Sequence, residues 1–419
     1  MGRKIRRGRH SFSRRRRFPF KVIGMVLLCC VLVVGGAFSA KFLFDRLATT
    51  PPADSSGTDS DLSGDGSGSD TSSPDSSVPE EPDNSVPTLE TVRAFYLPTA
   101  SMTDRAALDQ LLDGAKSAGF NGVVFDVKDI SGNLYYASQT AGALTAQNAV
   151  ENAMTTAQLK ELFSHLAEKG FLAMPRMYAF QDPAAAREMP QARVLLKGDP
   201  GYMWLDNTLA KGGKPWLNPY SPEAHTYLID LAKEVYSLGA PVLLLDSVQF
   251  PNQTAQASYG TTTLSGLSKR DVLQKFVTDL SAAVDGCEVV VCAPGLATFS
   301  DSTAAFGGNP LTFGAGTVSP LLMPASLGNK LTVGSETLTS PQNHPYEAVQ
   351  MAYSQIRTRV QLMDTAAQPA LLPFLQAYDY TASQIAAQIQ AVTELAGQDA
   401  PFVLYNPTGS YDFAALQTP

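Results

Sequence analysis

The chain has 419 residues and a formal net charge of −8, which is the sum of the charges of three segments that differ in composition. Residues 1–46 contain 12 basic residues and one acidic residue, whereas residues 47–90 contain 10 acidic residues and no basic one. The remaining part, residues 91–419, contains 19 basic and 28 acidic residues. This distribution excludes a uniformly acidic soluble enzyme, and it excludes a nucleic-acid-binding protein whose basic surface lies in the folded part.

The N-terminal segment has the pattern of a membrane anchor. After a basic stretch, Val22–Ala40 runs for 19 residues without a charge, close to the roughly 20 apolar residues that span a bilayer as a helix. A cleaved signal peptide is the alternative, although its apolar region is shorter, about 7–15 residues. By the positive-inside rule, we predict a cytoplasmic tail at residues 1–21 and a single-pass transmembrane signal anchor at residues 22–44. The rest of the chain would then be extracellular.

The second segment, residues 45–89, is predicted to be a disordered linker. It consists mainly of Ser, Asp, Gly, Pro and Thr, and such a composition buries too little apolar surface to offset the entropy of an ordered chain. Its functional interpretation is a solvated tether between the anchor and the folded part.

The pattern of apolar residues in residues 90–419 predicts one large domain of alternating strands and helices. The predicted strands are Val92–Tyr96, Gly122–Lys128, Phe171–Met177, Val242–Asp246, Val289–Cys292, Leu321–Pro324, Ala370–Leu375 and Phe402–Tyr405. The predicted helices are Thr103–Ala118, Thr156–Lys169, a helix capped by Ser221 that begins at Pro222, Ser268–Val284, Pro345–Met363 and Ser383–Ala396. Eight alternating units over about 330 residues predict an α/β fold, a (β/α)8 TIM barrel, with a doubly wound parallel sheet as the alternative.

Two carboxylates end predicted strands, where a barrel places its active site. Asp246 closes the strand P-V-L-L-L-D after three leucines, and a carboxylate in that position is costly unless it is paired or used in function. Asp126 and Lys128 lie two residues apart in F-D-V-K-D, so alternation predicts that both face the same side of the strand. An ammonium beside Asp126 would keep it ionised, which suits a nucleophile or a ligand-holding pair. A plain structural ion pair is the alternative.

Further polar and aromatic residues are expected at the same rim as substrate contacts. They are Arg176, Gln181 and Asp182 after the third strand, Gln376, Tyr378 and Asp379 after the seventh, and Tyr405 and Asn406 at the eighth. Both tryptophans of the chain, Trp204 and Trp216, lie in the long connection after the third strand. They are interpreted either as platforms for sugar rings or as the packing of a lid over the barrel.

The sequence lacks the motifs of metal-dependent, serine-hydrolase, nucleotide-binding and dinucleotide-binding proteins. The four histidines have no metal-ligand spacing, and the sequence contains no H-E-x-x-H, no G-x-S-x-G, no P-loop and no dinucleotide fingerprint after a strand. We therefore expect no metal, no cofactor, no dinucleotide and no nucleic-acid partner.

Seven passages in order along the folded part carry a resemblance to a known family. They are N-G-V-V-F-D-V-K-D (Asn121–Asp129), W-L-N-P-Y-S-P (Trp216–Pro222), L-L-L-D-S-V-Q-F-P (Leu243–Pro251), S-P-L-L-M-P-A-S (Ser319–Ser326), P-Y-E-A-V (Pro345–Val349), L-P-F-L-Q-A-Y (Leu372–Tyr378) and L-Y-N-P (Leu404–Pro407). From about Val92 to Leu416 the chain resembles the glycoside hydrolase domain family designated DUF4015. The resemblance implies a glycosidase-type TIM barrel that is extracellular and often membrane-tethered, with an activity that is itself inferred.

The chain departs from the family pattern at several positions. Gln249 stands where the family usually has an arginine, and Leu322–Ser326 has lost a tyrosine and a histidine. These changes remove polar and aromatic contacts near the site that the resemblance implies. The family residues that this chain retains are Asp126, Lys128, Asp246, Gln376 and Asn406.

The sequence hypothesis is a membrane-tethered glycoside hydrolase of a cell-surface or cell-wall polysaccharide. Glycosidic cleavage ordinarily needs two carboxyl groups, and Asp246 is the first candidate, as nucleophile or base. Asp126, Asp182 and Asp379 are candidates for its partner. The alternatives are a catalytically inactive carbohydrate-binding barrel and an envelope scaffold. The moderate acidity of the folded part favours a neutral sugar polymer over an acidic one.

Overall fold

A computed structural model of the chain describes residues 87–416, apart from residues 253, 300, 302 and 303. The predicted cytoplasmic tail and signal anchor, and the predicted linker up to residue 86, lie outside the described residues. Within the described part, no helix combines the length and the apolar composition that a membrane span requires.

Eight parallel strands close into a barrel. They are β1 (Arg93–Tyr96), β2 (Gly122–Lys128), β3 (Leu172–Tyr178), β4 (Val242–Asp246), β5 (Glu288–Pro294), β6 (Thr317–Leu321), β7 (Ala370–Leu371 and Phe374–Gln376) and β8 (Phe402–Tyr405). Each strand pairs with its neighbours in chain order, and β1 pairs with both β2 and β8, which closes the sheet. The prediction of a (β/α)8 barrel is therefore confirmed, since a doubly wound sheet stays open.

Six long helices surround the barrel in the described part of the chain. They are α1 (Arg105–Ser117), α2 (Thr156–Glu168), α3 (Pro222–Ser237), α4 (Lys269–Ala283), α5 (Pro345–Gln361) and α6 (Ala382–Ala396). A side chain caps five of their N-termini by accepting a bond from a backbone N–H in the first turn, which satisfies a donor that the helix leaves free. Among the described residues, β5 and β8 are followed only by 3₁₀ turns, Gly295–Thr298 and Pro310–Thr312 after β5 and Ala414–Leu416 after β8.

The connections carry additional elements that the sequence patterns did not reveal. Strands Leu134–Tyr136 and Ala149–Met154 extend the sheet beside β2, and Lys330–Val333 pairs with Glu336–Thr339 in a hairpin. A three-stranded sheet of Leu195–Leu196, Asp199–Met203 and Ala257–Ser258 lies in the connections after β3 and β4. Short helices occupy Ala141–Ala146 and Pro183–Glu188, and 3₁₀ turns occupy Thr99–Met102, Pro190–Ala192, Leu209–Lys211, Pro324–Ser326, Pro341–Asn343 and Thr365–Ala367.

The sixth predicted strand was wrong in position. The apolar run Leu321–Pro324 begins at the last residue of the strand, because β6 ends at Leu321 and Pro324 opens a 3₁₀ turn. The true strand contains Ser319, which reads as polar in the sequence. Its hydroxyl is fully buried and donates a hydrogen bond to the carbonyl oxygen of Leu372, between the two parts of β7, so the strand accepts a polar residue without leaving it unsatisfied.

The barrel interior and the layer between strands and helices form separate apolar clusters. The interior cluster contains side chains such as Val124, Leu244 and Phe374, which alternate along their strands with residues that face the helices. Gly122 lies at the wall of this interior cluster. A Cβ atom there would come within 2.4 Å of a methyl carbon of Val92 and 3.0 Å of the Cβ of Ala94.

The substitution Gly122→Ala should lower the free energy of unfolding by about 1–3 kcal/mol, because it overfills a packed interior. Gly114→Ala is the matched control. Gly114 lies within α1, and an added Cβ would meet only Phe413, at 4.0 Å. Removing a helix glycine there should stabilise the protein by about 0.5–1 kcal/mol. Urea denaturation midpoints would compare the two variants with the parent protein, and equal midpoints for both variants would contradict this account of the barrel interior.

Candidate active site

Three charged side chains converge at the C-terminal mouth of the barrel. Asp126, Arg176 and Asp246 belong to the adjacent strands β2, β3 and β4. Each lies two positions after an apolar residue of the interior cluster, namely Val124, Met174 and Leu244. Because side chains on a strand alternate, the same face that fills the barrel interior delivers these charges to its mouth.

Arg176 is held by Asp126 through two hydrogen bonds. Its Nε donates to Asp126 Oδ1 at 2.7 Å, and its Nη2 donates to Asp126 Oδ2 at 3.2 Å. The hydroxyl of Tyr96 donates to Oδ2 of the same carboxylate at 2.8 Å. A bidentate arginine–carboxylate pair fixes the orientation of both groups, so Asp126 is a positioned carboxylate and not a mobile one.

Asp246 lies on the other side of the same guanidinium. Its Oδ2 is 3.8 Å from Arg176 Nη1, and its Oδ1 accepts a hydrogen bond of 2.6 Å from the backbone N–H of Ser247. Because both carboxylates contact the same planar guanidinium, oxygens of Asp126 and Asp246 are at most about 9 Å apart. Both carboxylate side chains keep a small exposed fraction, 11% for Asp126 and 12% for Asp246, so solvent reaches them from the mouth.

Ser247 has a strained backbone conformation, and its N–H group donates a hydrogen bond to Asp246. Its φ of 53° places a non-glycine residue in the left-handed region, which costs on the order of 1 kcal/mol or more. This conformation directs the Ser247 N–H onto the Asp246 carboxylate. The Ser247 hydroxyl also lies 3.4 Å from Oε1 of Gln181 in the connection after β3. Strain of this kind clusters at functional sites.

Three tyrosine rings surround the guanidinium of Arg176. Its Cζ lies 5.1 Å from the ring centroid of Tyr96, 5.0 Å from that of Tyr178 and 5.6 Å from that of Tyr405. Aromatic faces attract a cation at these distances, and they supply flat surface around the carboxylates. Tyr405, a predicted substrate contact, is therefore part of this charged cluster.

Burial controls protonation in the cluster. It raises the pKa of Asp246 above the usual value for an aspartate, although Arg176 and the Ser247 N–H oppose the rise. Burial also raises the pKa of Tyr178, and the charge of Asp246 raises it further. For Tyr96, burial and then Asp126 have the same effect on the pKa. Both phenols thus remain hydrogen-bond donors at neutral pH.

The structure gives Lys128 and Asp126 different partners. A register shift between these two residues in the pairing of β2 with β3 changes the simple alternation. Lys128 Nζ lies 2.8 Å from Asp182 Oδ2, and both side chains are almost completely buried. Lys128 also lies 6.0 Å from the ring centroid of Tyr227 on α3. Lys128 and Asp182 therefore form a buried ion pair with each other. A role of either residue in substrate binding stays a prediction.

The two tryptophans are packed into a small apolar cluster with Val194. Trp204 is 3% exposed and Trp216 is 4% exposed. Their indole N–H groups donate to the carbonyl oxygen of Ala255 and to Asp206 Oδ2, respectively. This arrangement corresponds to the lid packing, and a stacking platform would need a more open ring. Trp216 nevertheless lines a pocket of about 440 Å³ together with Gln249.

Gln376 and Asn406 stabilise the loops at the ends of β7 and β8. The Gln376 side chain accepts from the backbone N–H of Ala325 and donates to the carbonyl oxygen of Tyr378. The Asn406 side chain donates to the carbonyl oxygens of Ala377 and Ser410. Both amides therefore have backbone partners in this structure, and a direct contact with substrate stays a prediction.

Asp379 lies apart from the charged cluster. It is exposed, has a φ of 55° and lines a second pocket of about 550 Å³ with Tyr378 and Asp412. The Tyr378 ring contacts that of Tyr405 edge-on, at 6.3 Å between centroids. This contact makes the second pocket a neighbour of the mouth, and a role of Asp379 in substrate binding stays a prediction.

Sequence reasoning missed Tyr96, Tyr178 and the central position of Arg176. Tyr96 ends the strand R-A-F-Y, so the rule that identified Asp246 applies to it as well. Tyr178 follows Arg176 by two residues at the end of β3. No pattern within one strand could show that Arg176 lies between two carboxylates, because these come from the strands on either side.

Comparisons with known proteins identify the family. Residues 94–411 match the family model described as a putative glycosyl hydrolase domain, DUF4015. The search among curated proteins gives no match. The solved structures that match include the following three. A hypothetical protein from Ruminiclostridium thermocellum is 21% identical with a TM-score of 0.41, over 47% of this chain and 96% of that one.

Two further matching structures are enzymes with lower identity. Alpha-L-fucosidase isoenzyme 2 from Paenibacillus thiaminolyticus is 13% identical with a TM-score of 0.48, over 78% of this chain and 47% of that one. The catalytic domain of beta-amylase from Paenibacillus polymyxa is 11% identical with a TM-score of 0.46, over 79% of this chain and 96% of that one. The family follows from the sequence match, since likeness at this level of identity concerns the fold alone.

The substitution Asp246→Asn should raise the stability of the protein at neutral pH. A raised pKa means that the ionised carboxylate costs folding free energy above that pKa, whereas an amide cannot ionise. The cost is absent below the pKa of the unfolded chain, and it develops as the pH rises through the folded-state pKa. Urea midpoints should therefore be higher for the variant at pH 7.5 and should converge with those of the parent near about pH 3. A lower midpoint for the variant at pH 7.5 would contradict the burial effect.

The substitution Arg176→Met should lower the free energy of unfolding by about 3–5 kcal/mol, because it leaves two buried carboxylates without their cation. Arg359→Met is the matched control, since Arg359 pairs with Asp301, whose side chain is 80% exposed. A surface pair contributes little, so the control should shift the urea midpoint much less. Similar shifts for both variants would show that Arg176 is not the centre of a buried charge cluster.

Proposed function

The chain belongs to this glycosyl hydrolase domain family, and we propose that it is a glycoside hydrolase whose reaction occurs between Asp126 and Asp246. The observation that supports this proposal is their geometry. Two carboxyl groups, from the strands on either side of β3, share one guanidinium at the barrel mouth, with oxygens at most about 9 Å apart. A glycosidic bond is cleaved between two such carboxyl groups.

The environments of the two groups support different roles. Asp246 has a pKa raised by burial, which favours a protonated carboxyl that can donate its proton to the glycosidic oxygen. Asp126 accepts two bonds from Arg176 and one from Tyr96, which fix its orientation as base or nucleophile. This assignment reverses the sequence hypothesis for Asp246, which cast it as the nucleophile or base.

The separation admits both stereochemical courses. Retaining enzymes hold their carboxyl groups about 5–5.5 Å apart, and inverting enzymes hold them roughly 6.5–9.5 Å apart to admit a water molecule. Arg176 positions both groups and offsets their mutual repulsion. Tyr178 and Tyr405 lie against the guanidinium, so a sugar ring that enters the mouth would meet aromatic faces beside the carboxylates.

The proposed substrate is a cell-surface or cell-wall polysaccharide, and the proposed location is the outer face of the cell membrane. The basic N-terminus, the 19 uncharged residues Val22–Ala40 and the polar stretch that follows support this proposal. A flexible linker of about 45 residues would have a root-mean-square reach of roughly 35–40 Å. The domain could then work among surface polymers while it remains anchored.

Cleavage should depend on Asp246. The test incubates the full-length protein, purified in a polyoxyethylene detergent that contains no sugar, with a panel of neutral and acidic polysaccharides. Release of reducing ends should fall at least about 100-fold in Asp246→Asn, because general acid catalysis contributes about 10²–10⁴-fold. The anomeric configuration of the first product, read by NMR, would distinguish retention from inversion.

Asp285→Asn is the control for this experiment. Asp285 is an exposed residue between α4 and β5, at the opposite end of the barrel, and its substitution should leave the rate unchanged. Binding of a polysaccharide without release of reducing ends, equal in parent and Asp246→Asn proteins, would favour a carbohydrate-binding barrel. Absence of both binding and cleavage across the panel would favour an envelope scaffold.

A further inference from the structure

We propose that the pocket formed by the connection after β3 is a subsite for an anionic group on the sugar polymer, either a carboxylate or a phosphate ester. The pocket has a volume of about 440 Å³, and its lining includes Lys211, Lys214, Trp216, Gln181 and Gln249. We call it the lysine pocket. This inference deepens the proposed function, because it names the substrate class that the same mouth would accept.

The lysine pocket adjoins the charged cluster. Gln181 lines the pocket, and its Oε1 lies 3.4 Å from the Ser247 hydroxyl. Ser247 in turn donates its backbone N–H to Asp246 at 2.6 Å. One residue therefore separates the pocket wall from the proposed proton donor, so the pocket lies beside the scissile bond and suits an adjoining sugar unit.

Positive charge dominates the lysine pocket. Among the described residues, neither Lys211 nor Lys214 has a carboxylate within 4 Å of its ammonium group. The acidic lining residue, Asp206, uses its carboxylate elsewhere. It accepts the backbone N–H of Lys214 at 2.7 Å and the indole N–H of Trp216 at 3.1 Å. The two ammonium groups thus remain available to an anion from solvent.

The loop that carries the lysines is closed by its own contacts. The backbone N–H of Asp206 donates to the carbonyl oxygen of Lys214 at 3.0 Å, which joins the two ends of the loop. Gly212 has a φ of +74°, and a Cβ atom on Gly213 would come within 1.9 Å of the carbonyl oxygen of Asn207. Both glycines are therefore required by the backbone path. The lysines are placed by a defined turn and not by a random surface loop.

The chemistry of the pocket suits an anionic sugar. An ammonium group is a compact charge that binds phosphate and carboxylate, and the amide of Gln249 adds neutral hydrogen-bonding capacity at the same wall. Residues 91–419 carry more acidic than basic residues, so two unpaired lysines beside the site are a local exception. The neutral polymer that the average charge favours would make no use of them.

The test measures binding by calorimetry to full-length protein that carries Asp246→Asn, so that cleavage does not consume the ligand. The probes are an oligogalacturonate, the same oligomer after reduction of its carboxyl groups, and a glycosylated poly(glycerol phosphate) oligomer. We expect at least one anionic probe to bind about tenfold or more tightly than the reduced oligomer. Lys211→Ala and Lys214→Ala should each weaken that binding about five- to tenfold, and added salt should weaken it as well.

Lys160→Ala is the control, since Lys160 is an exposed lysine on α2. It removes the same charge and should leave binding unchanged. Preference for the oligogalacturonate identifies a carboxylate as the bound group, and preference for the glycerol phosphate oligomer identifies a phosphate. Equal binding of acidic and reduced oligomers, no binding of either anionic probe, or binding that neither lysine affects would overturn the subsite.

The outcome for the lysine pocket is separable from that for the proposed function. Lysine-dependent binding without cleavage by the parent protein would support the subsite and contradict the hydrolase. Asp246-dependent cleavage of a neutral glycan, with no lysine-dependent binding, would support the hydrolase and overturn the subsite.

Discussion

The guanidinium of Arg176, held between two carboxylates inside a closed barrel, is the interaction on which the mouth depends. Three charges within one small buried volume would carry a large desolvation cost if they were unpaired. Bidentate pairing to Asp126 offsets much of that cost, and three tyrosine rings fill the remaining surface of the cation. Asp246 has only a longer contact with the arginine. It therefore bears most of the burial penalty, and burial raises its pKa.

The closed sheet makes this unequal pairing of Asp126 and Asp246 with Arg176 possible. Strand β3 lies between β2 and β4, so an arginine on β3 is placed between acids on its two neighbours without any special loop. The helix-facing side is handled separately, because Lys128 and Asp182 neutralise each other there. Asp126 and Lys128 are two positions apart on β2, and they have different structural roles. Asp126 orients Arg176 at the mouth, whereas Lys128 holds the connection after β3 against the barrel through Asp182.

The sequence was sufficient where one local rule decides the outcome. The bounds of β2, β4 and β8 were predicted correctly because they are apolar runs with clear ends, and Asp246 and Asp126 were identified as polar ends of such runs. The Asp126–Lys128 pairing failed as an expectation because a register shift interrupts the alternation that it assumed. The predicted position of β6 was wrong because Ser319 is polar and therefore did not look like part of a buried strand. Its hydroxyl is satisfied by the carbonyl oxygen of Leu372, 53 positions later in the chain. Contacts between distant segments were the information that the sequence patterns lacked.

The average charge of the domain and the local charge of its mouth act over different distances. At physiological ionic strength the field of exposed acids is screened beyond about 8–10 Å, so the excess of acidic residues sets solubility and long-range repulsion but not the chemistry of one pocket. Lysines that contact a ligand directly act well within that distance. An anionic polymer would gain little from electrostatic steering toward such a domain, and a membrane tether would remove the need for it by holding the domain among surface polymers at high effective concentration. Under the proposed anchoring, a domain with an acidic exterior and a lysine-lined subsite can therefore select an acidic glycan at contact without binding anionic surfaces indiscriminately.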